Sequence, residues 1–411
     1  MKVVLINHSD MRGGASVVTL RLTEALRDAG VDATMLVGHK EGDSPLVEEG
    51  TQWRRKLSFA AEHLDIVAHN RLSRDNLFKI STGRFGMGLS RHPLVEEADI
   101  VVLAWINQGT LSLDEIARIV RRKPVVWVMH DRWCYTGVCH HVPDSCDRLV
   151  SRCGMCPLLK THSYDDLSRK VFMDKLRLYG HVPYPALSFI AVSTWLKEVW
   201  PGGLIDSSRV EVIPNVFPVG DYSWQPRRTR SELSLPEGPL ITMGAARLDD
   251  PIKNLPLAIE ALNRINTPAT AVFFGGVRDP GAFDGLRMPY VHLGPLTQER
   301  VADVLSHTDV VLSTSRFETL PTTLIEGMAS GAWPVTTGNG GQADIIADCV
   351  DGDITTDDAG SIAALTERAI LAGHDRRLQH EACERRFDCG VVARRYVEHF
   401  EKVIRDFRKS K

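Results

Sequence analysis

Val310-Val-Leu-Ser-Thr-Ser-Arg-Phe-Glu318-Thr-Leu-Pro-Thr-Thr-Leu-Ile-Glu326-Gly-Met-Ala-Ser-Gly-Ala-Trp-Pro-Val-Thr336 reads as a strand, a polar loop, a helix and a second strand. Val310 to Leu312 is a short apolar run, Thr323 to Ala329 is read as a helix, and Trp333 to Thr336 returns to an extended pattern. A strand that passes through a helix to another strand is the building unit of a parallel sheet. The turn between strand and helix offers free backbone N–H groups and the positive end of the helix, a setting suited to an anionic ligand. Glu318 falls in that turn and Glu326 in the first helical turns, so both reach one mouth.

The same unit recurs on either side. Towards the carboxyl end, Leu365 to Ala372 and Cys389 to Phe407 read as helices, the last amphipathic through Val392, Tyr396, Val397, Phe400 and Val403. Upstream come strand Leu240–Met243, helix Leu255–Ile265, strands Thr270–Phe274 and Val291–Leu293, and helix Glu299–Ser306. Val210–Ile213 reads as the opening strand of this second series, with Pro218 to Pro239 as a linker. The first series holds strand Val3–Ile6, a polar loop His8–Gly14, helix Val17–Ala29 and a strand within Asp32–Gly38. It continues with Asp99–Ala104, helix Leu113–Val120, strand Pro124–Met129, the run Ser188–Val192 and helix Trp195–Val199. The pattern predicts an α/β fold of two Rossmann-like, doubly wound domains, with ligands in a crevice at the carboxyl ends of the strands. The expected divisions are 1–205, 206–390, and a terminal helix over 391–411 that returns to the first domain.

A length of 411 residues suits two such domains, and 43% hydrophobic with 25% charged residues is a globular composition. The net charge of −3 argues against a general nucleic-acid binder. No apolar run reaches the roughly 18 residues of a membrane span, and Met1 to Asp10 turns polar too early for a secretion signal. A cytoplasmic protein is expected.

Two further elements bear on chemistry. Gly244-Ala-Ala-Arg247-Leu-Asp-Asp-Pro-Ile-Lys253-Asn254 follows one strand and precedes a helix, placing two cations where a diphosphate's growing charge can be neutralised. Gly338-Asn-Gly340-Gly341 gives backbone amides room to approach a ligand, or is an ordinary turn.

Together these segments resemble the E-x7-E signature and flanking motifs of the family 4 retaining glycosyltransferases, which have the GT-B fold. The likeness takes in Gly13-Gly14, His130-Asp131, Val192-Ser193, Ile213-Pro214-Asn215, Gly244 to Lys253 and Gly340-Gly341. It implies an amino-terminal acceptor domain and a carboxyl-terminal donor domain for a nucleoside diphosphate sugar. By that likeness Glu318 faces the donor sugar and Glu326 holds the ribose hydroxyls. Arg247 and Lys253 take the diphosphate, Leu320, Thr322, Gly340, Gly341 and Gly14 line the donor, and His130 reaches the transferred sugar. The acceptor would be a sugar or a lipid-linked oligosaccharide in polysaccharide or glycoconjugate synthesis. No catalytic metal is implied, and no D-x-D metal motif stands at a strand end. Asp344 stands where the family often has glutamate, and Glu318 is followed by Thr-Leu-Pro where Phe-Gly is common. Three rival readings remain: a GT-B sugar-nucleotide epimerase or hydrolase, a redox enzyme that uses the Rossmann-like halves with an iron–sulfur or zinc cysteine site, and a non-catalytic sugar-nucleotide-binding subunit.

The insertion 133–160 is unusual. Cys139, Cys146, Cys153 and Cys156 follow a C-x6-C-x6-C-x2-C spacing, with His140 and His141 beside them. A structural zinc would staple such a polar loop; reduced thiols packing in place are the alternative. Similar cysteine loops occur in sugar transferases resembling the colanic-acid enzymes. Residues 53–91 interleave Arg54, Arg55, Lys56, Arg71, Arg74, Lys79, Arg84 and Arg91 with Trp53, Leu57, Phe59 and Phe78. That stretch is either a solvated helical face or a peripheral contact with the inner face of an anionic membrane.

Overall fold

The computed structural model describes residues 1–143, 145–198, 204–347 and 349–411. Two compact units emerge. The first joins Met1–Val216 to Val392–Lys411, and the second is Phe217–Val391.

The first unit opens with β1 (Lys2–Ser9), α1 (Gly14–Asp28), β2 (Asp32–His39), β3 (Val47–Glu49) and α2 (Gln52–His69). It continues through α3 (Pro93–Glu97), β4 (Ile100–Leu103), α4 (Leu113–Val120), β5 (Val125–Met129), α5 (Leu167–His181), β6 (Leu187–Ala191), α6 (Thr194–Glu198) and β7 (Val210–Val212). Its seven described strands lie in the order β3-β2-β1-β4-β5-β6-β7, and every recorded pairing is parallel. The central strands are buried on both faces, which is why they appear in sequence as unbroken apolar runs. Helix starts follow local chemistry. Ser112 and Glu115 form a reciprocal capping box on α4, and the Asp166 carboxylate accepts from Arg169 N at the start of α5.

Val210–Val212 departs from the expectation. It pairs with β6, so it closes the first sheet and does not open the second. Sequence pattern identifies an extended segment but not the sheet edge that receives it. The helix expected over Trp195–Val199 is observed as Thr194–Glu198, and Val199 lies outside the described residues.

The second unit comprises β8 (Leu240–Arg247), α7 (Leu255–Leu262), β9 (Thr270–Gly276), β10 (Tyr290–His292), α8 (Gln298–Leu305), β11 (Val310–Ser313) and α9 (Thr322–Ala329). After these come β12 (Trp333–Thr337), α10 (Gln342–Ile346), β13 (Asp353–Thr355), α11 (Ala359–Ala372) and α12 (Arg376–Phe387). Its strand order is β10-β9-β8-β11-β12-β13, again parallel throughout. The core packs Leu255, Ala258 and Leu262 of α7 and Ile362 of α11 against Ile241, Phe273, Val310 and Val335 of the sheet. Helix α9 approaches its strand closely: a Cβ at Gly327 would overlap the Val311 side chain, so no larger residue fits without displacement.

The last helix, α13 (Cys389–Ser410), begins in the second unit and continues into the first. Arg395 donates to the Val212 carbonyl at 2.7 Å, and the Asp406 carboxylate accepts from the Tyr184 hydroxyl at 2.6 Å.

Candidate active site

In the second unit, β8 and β11 are parallel neighbours, so the loops leaving their carboxyl ends lie side by side. Arg247 is the last residue of β8, displaced by an irregularity that begins at Gly244. Lys253 ends a short 3-10 turn that Asp250 caps through Ile252 N, and Asn254 takes a left-handed conformation to start α7. The β11 loop clasps this turn. Thr314 Oγ1 donates to the carbonyls of Lys253 and Asn254 at 3.0 and 3.1 Å, and Arg316 N donates to Ile252 O at 2.8 Å.

That clasp brings Lys253 Nζ to 2.5 Å from Glu318 Oε1. Both side chains are only partly exposed, at 29% and 19%, so solvent screens the pair less than it would a surface pair. Arg247 is likewise partnered, by Asp250 at 2.8 Å and Asp249 at 3.6 Å. Both candidate cations are therefore charge-compensated.

Glu318 is fixed from behind as well. Gly341 N donates to the Glu318 carbonyl at 2.9 Å, and a Cβ at Gly340 would overlap that same oxygen. Gly340 thus permits two backbones to meet. The Gly341 N–H is engaged by the Glu318 carbonyl. Glu326 lies in the second turn of α9, half-buried, while Leu320 is buried and Thr322 opens the helix. Thr323 Oγ1 donates to Gly244 O at 3.4 Å, tying the start of α9 to the loop of β8.

In the first unit, Gly13 carries a positive φ of 83° as the cap of α1, and Gly14 is its first residue with open space where a Cβ would stand. His130 follows the end of β5. It is half-buried beside a small cavity lined by Leu5, Val18, Val102, Asn215 and Tyr396, and burial pulls its imidazole down to about 4. It is neutral at pH 7. Its neighbour Asp131 accepts from Trp105 Nε1 at 2.8 Å and from Trp133 N at 2.8 Å, and its Oδ2 lies 2.8 Å from His140 Nδ1. The His140 Nε2 lies 3.1 Å from Ser81 Oγ, and Asn107 Nδ2 is 3.1 Å from Nδ1.

Both ring nitrogens of His140 are engaged in this network. The network of Asp131, His140, Ser81, Asn107 and Trp105 was not legible in sequence. Its signal was positional only: Trp105 and Asn107 come directly after β4, as His130 and Asp131 come after β5. His8 is similar, with Nδ1 2.8 Å from Thr110 Oγ1 and its ring edge-on to Trp105 at 5.5 Å.

The four cysteines are free thiols; Cys139, Cys153 and Cys156 are buried and Cys146 is half-buried. Burial pushes Cys139, Cys153 and Cys156 up to about 12. Among the described residues, no group of three or more histidine, cysteine, aspartate or glutamate side chains is placed to hold a metal ion. Lys175 secures the loop. This fully buried side chain donates to the carbonyls of Trp133, Thr136 and Gly137 at 2.5, 3.0 and 3.0 Å and lies 3.5 Å from the centroid of the Trp133 ring.

Two parallel α/β units with polar strand ends define a GT-B-type fold. Solved structures carry the same architecture over almost the whole chain. The glycosyltransferase from Rickettsia africae ESF-5 superposes with a TM-score of 0.66 at 14% identity, covering 98% of each chain. Anabaena Alr3699/HepE, solved in complex with UDP and glucose, gives 0.60 at 17%, covering 98% of this chain and 100% of that one. Sucrose-phosphate synthase from Thermosynechococcus elongatus gives 0.64 at 14%, covering 98% and 99%. Residues 240–372, which contain Arg247, Lys253, Glu318 and Glu326, match the family model described as "Glycosyl transferases group 1". No curated protein sequence matches the chain.

Proposed function

We propose that the chain transfers a glycosyl unit from a nucleoside diphosphate sugar to an acceptor hydroxyl with retention of anomeric configuration. The observation that carries this reading is the Lys253–Glu318 pair at adjacent strand ends, with Arg247 ending the strand that leads to Lys253. The diphosphate draws Lys253 and Arg247 away from their carboxylate partners. Glu318 is thereby released to face the sugar, and Glu326 holds the ribose. The bond from the anomeric carbon to the diphosphate oxygen breaks as the acceptor oxygen bonds on the same face, and the acceptor proton passes to the departing diphosphate. Positioned cations stabilise the charge that grows on that leaving group. Neutral His130, at its strand end, orients a hydroxyl of the transferred sugar and is not a proton donor. No catalytic metal enters this scheme. The UDP and glucose bound by Alr3699/HepE favour a uridine donor here too, and a sugar or lipid-linked oligosaccharide is the acceptor class.

The test is transfer from a panel of radiolabelled nucleotide sugars, with the anomeric configuration of the product read by NMR. An inverted product removes retention. Donor turnover without any transfer points to the epimerase or hydrolase reading. Donor binding with no turnover under any acceptor points to the non-catalytic subunit. The sequence spacing of Cys139, Cys146, Cys153 and Cys156 supports a separate proposal, a structural zinc held by these four side chains. Metal analysis of chelator-free protein should find about one zinc per chain; neither zinc nor iron ends that proposal.

A further inference from the structure

We infer that helix α2, with the segment that follows it, is a docking surface for an anionic lipid bilayer. The observation is independent of glycosyl transfer. Trp53, Leu57 and Leu64 are 62%, 63% and 68% exposed, values far outside the range of core side chains. At about 100° per residue, Trp53, Leu57, Ala60, Leu64 and Ala68 fall within an arc of about 80° on the helix. All five are exposed. An apolar stripe that faces water along an 18-residue helix is the reverse of the usual amphipathic arrangement. The buried side of α2 is polar in part: the Glu62 carboxylate accepts from Thr82 N at 2.6 Å, and His63 packs between the rings of Phe59 and Phe78.

The face continues past the helix. Leu72 is 78% exposed and Phe78 71%, and the Phe78 ring is held 5.3 Å from His63 on α2. The charge around it chooses the occupant. Arg54 and Lys56 flank the apolar arc on its two sides, and Arg71, Arg74 and Lys79 are exposed beyond it. The acidic groups of this region are compensated or removed from water. Glu62 is buried, Asp65 is paired with His69 and Arg84, and Asp75 is paired with Lys160. A chain of net charge −3 has thus gathered cations without an ion-pair partner among the described residues around its exposed tryptophan, leucines and phenylalanine. That combination fits the interface of a bilayer, where apolar side chains enter the acyl boundary and cations meet anionic headgroups. A protein partner or a second copy would need acidic complementarity, and the exposed face supplies none of its own.

Flotation of the full chain with phosphatidylcholine vesicles, with and without 30% phosphatidylglycerol, tests the assignment. The chain should bind the anionic vesicles and bind neutral ones at least tenfold more weakly, with the difference shrinking as salt rises. Trp53→Ser, Leu57→Ser and Leu64→Ser combined should reduce partitioning at least tenfold. Leu371→Ser, at a 73% exposed position on α11, should leave it unchanged. Should the triple variant fold poorly, Arg54→Glu with Lys56→Glu gives an independent reading, again with at least a tenfold loss. Failure of the wild-type chain to float, or flotation unaltered by both sets of substitutions, overturns the proposal. So does a concentration-dependent dimer in sedimentation that the triple variant abolishes, because the face would then belong to a second copy.

Discussion

Lys253 and Glu318 illustrate how one contact can serve two states of a site. At 2.5 Å the pair compensates both charges, and in the proposed mechanism the same atoms separate when a diphosphate competes for the ammonium. Glu318→Gln and Lys253→Ala should each lower kcat by about 100- to 1000-fold, the range typical for removing one positioned charge from a transition state. Thermal unfolding should shift little, since the pair is partly solvated. Near wild-type transfer in either variant would remove the assigned roles. Gly340→Ala is a different kind of test. Its Cβ would overlap the Glu318 carbonyl, forcing two backbones apart, at a cost of about 1–3 kcal/mol in a urea denaturation series. Donor binding should weaken with it, because Glu318 moves too.

Among the elements, the central strands were legible because parallel strands buried on both faces leave unbroken apolar runs, as in Val125–Met129 and Leu187–Ala191. Helices α5 and α12 were not. Their mean composition is polar, and their buried residues include Lys175 and Gln379, which no apolar template would select. The motif glutamates and cations were legible as spacing, whereas Asp249 and Asp250 as partners of Arg247 were not. Ion pairing across a loop depends on three-dimensional closure. Lys175 shows the same limit. Burial pulls its amine down to about 7, yet three carbonyl acceptors and an aromatic face offset that penalty. Lys175→Met should orphan three buried carbonyls and destabilise the first unit by about 2–4 kcal/mol, read as an early transition in differential scanning calorimetry.

At the scale of the whole molecule, acid sensitivity follows from two histidines. His8 and His130 are both drawn from 6.5 to about 4, chiefly by burial. Each is neutral when folded, so the unfolded chain takes up protons first as pH falls. Their contribution is complete above pH 6.5 and drains away between 6.5 and 4. Unfolding free energy should decline across that window, and His8→Gln with His130→Gln should flatten the decline. Helix α13 gives the other prediction at this scale. Val392, Ala393, Tyr396, Phe400, Val403, Ile404 and Phe407 are all buried within it. At about 1.5–3 kcal/mol for each large apolar side chain, their loss is as large as the whole 5–15 kcal/mol by which domains are normally stable. A chain ending at Val391 should therefore fail to protect its first unit from limited proteolysis, while the second unit resists.

The crossing of α13 also sets an order of events during synthesis. Residues 1–216 leave the ribosome first, yet the helix that completes their unit follows only after the whole of 217–391 has been translated. At about 5–20 residues per second, the amino-terminal sheet waits roughly 10–40 s for its final layer. The usual vectorial order is inverted here, with the later-made unit free to finish first. Throughout that interval the nascent amino-terminal half presents an uncovered apolar flank, the kind of surface that chaperones engage.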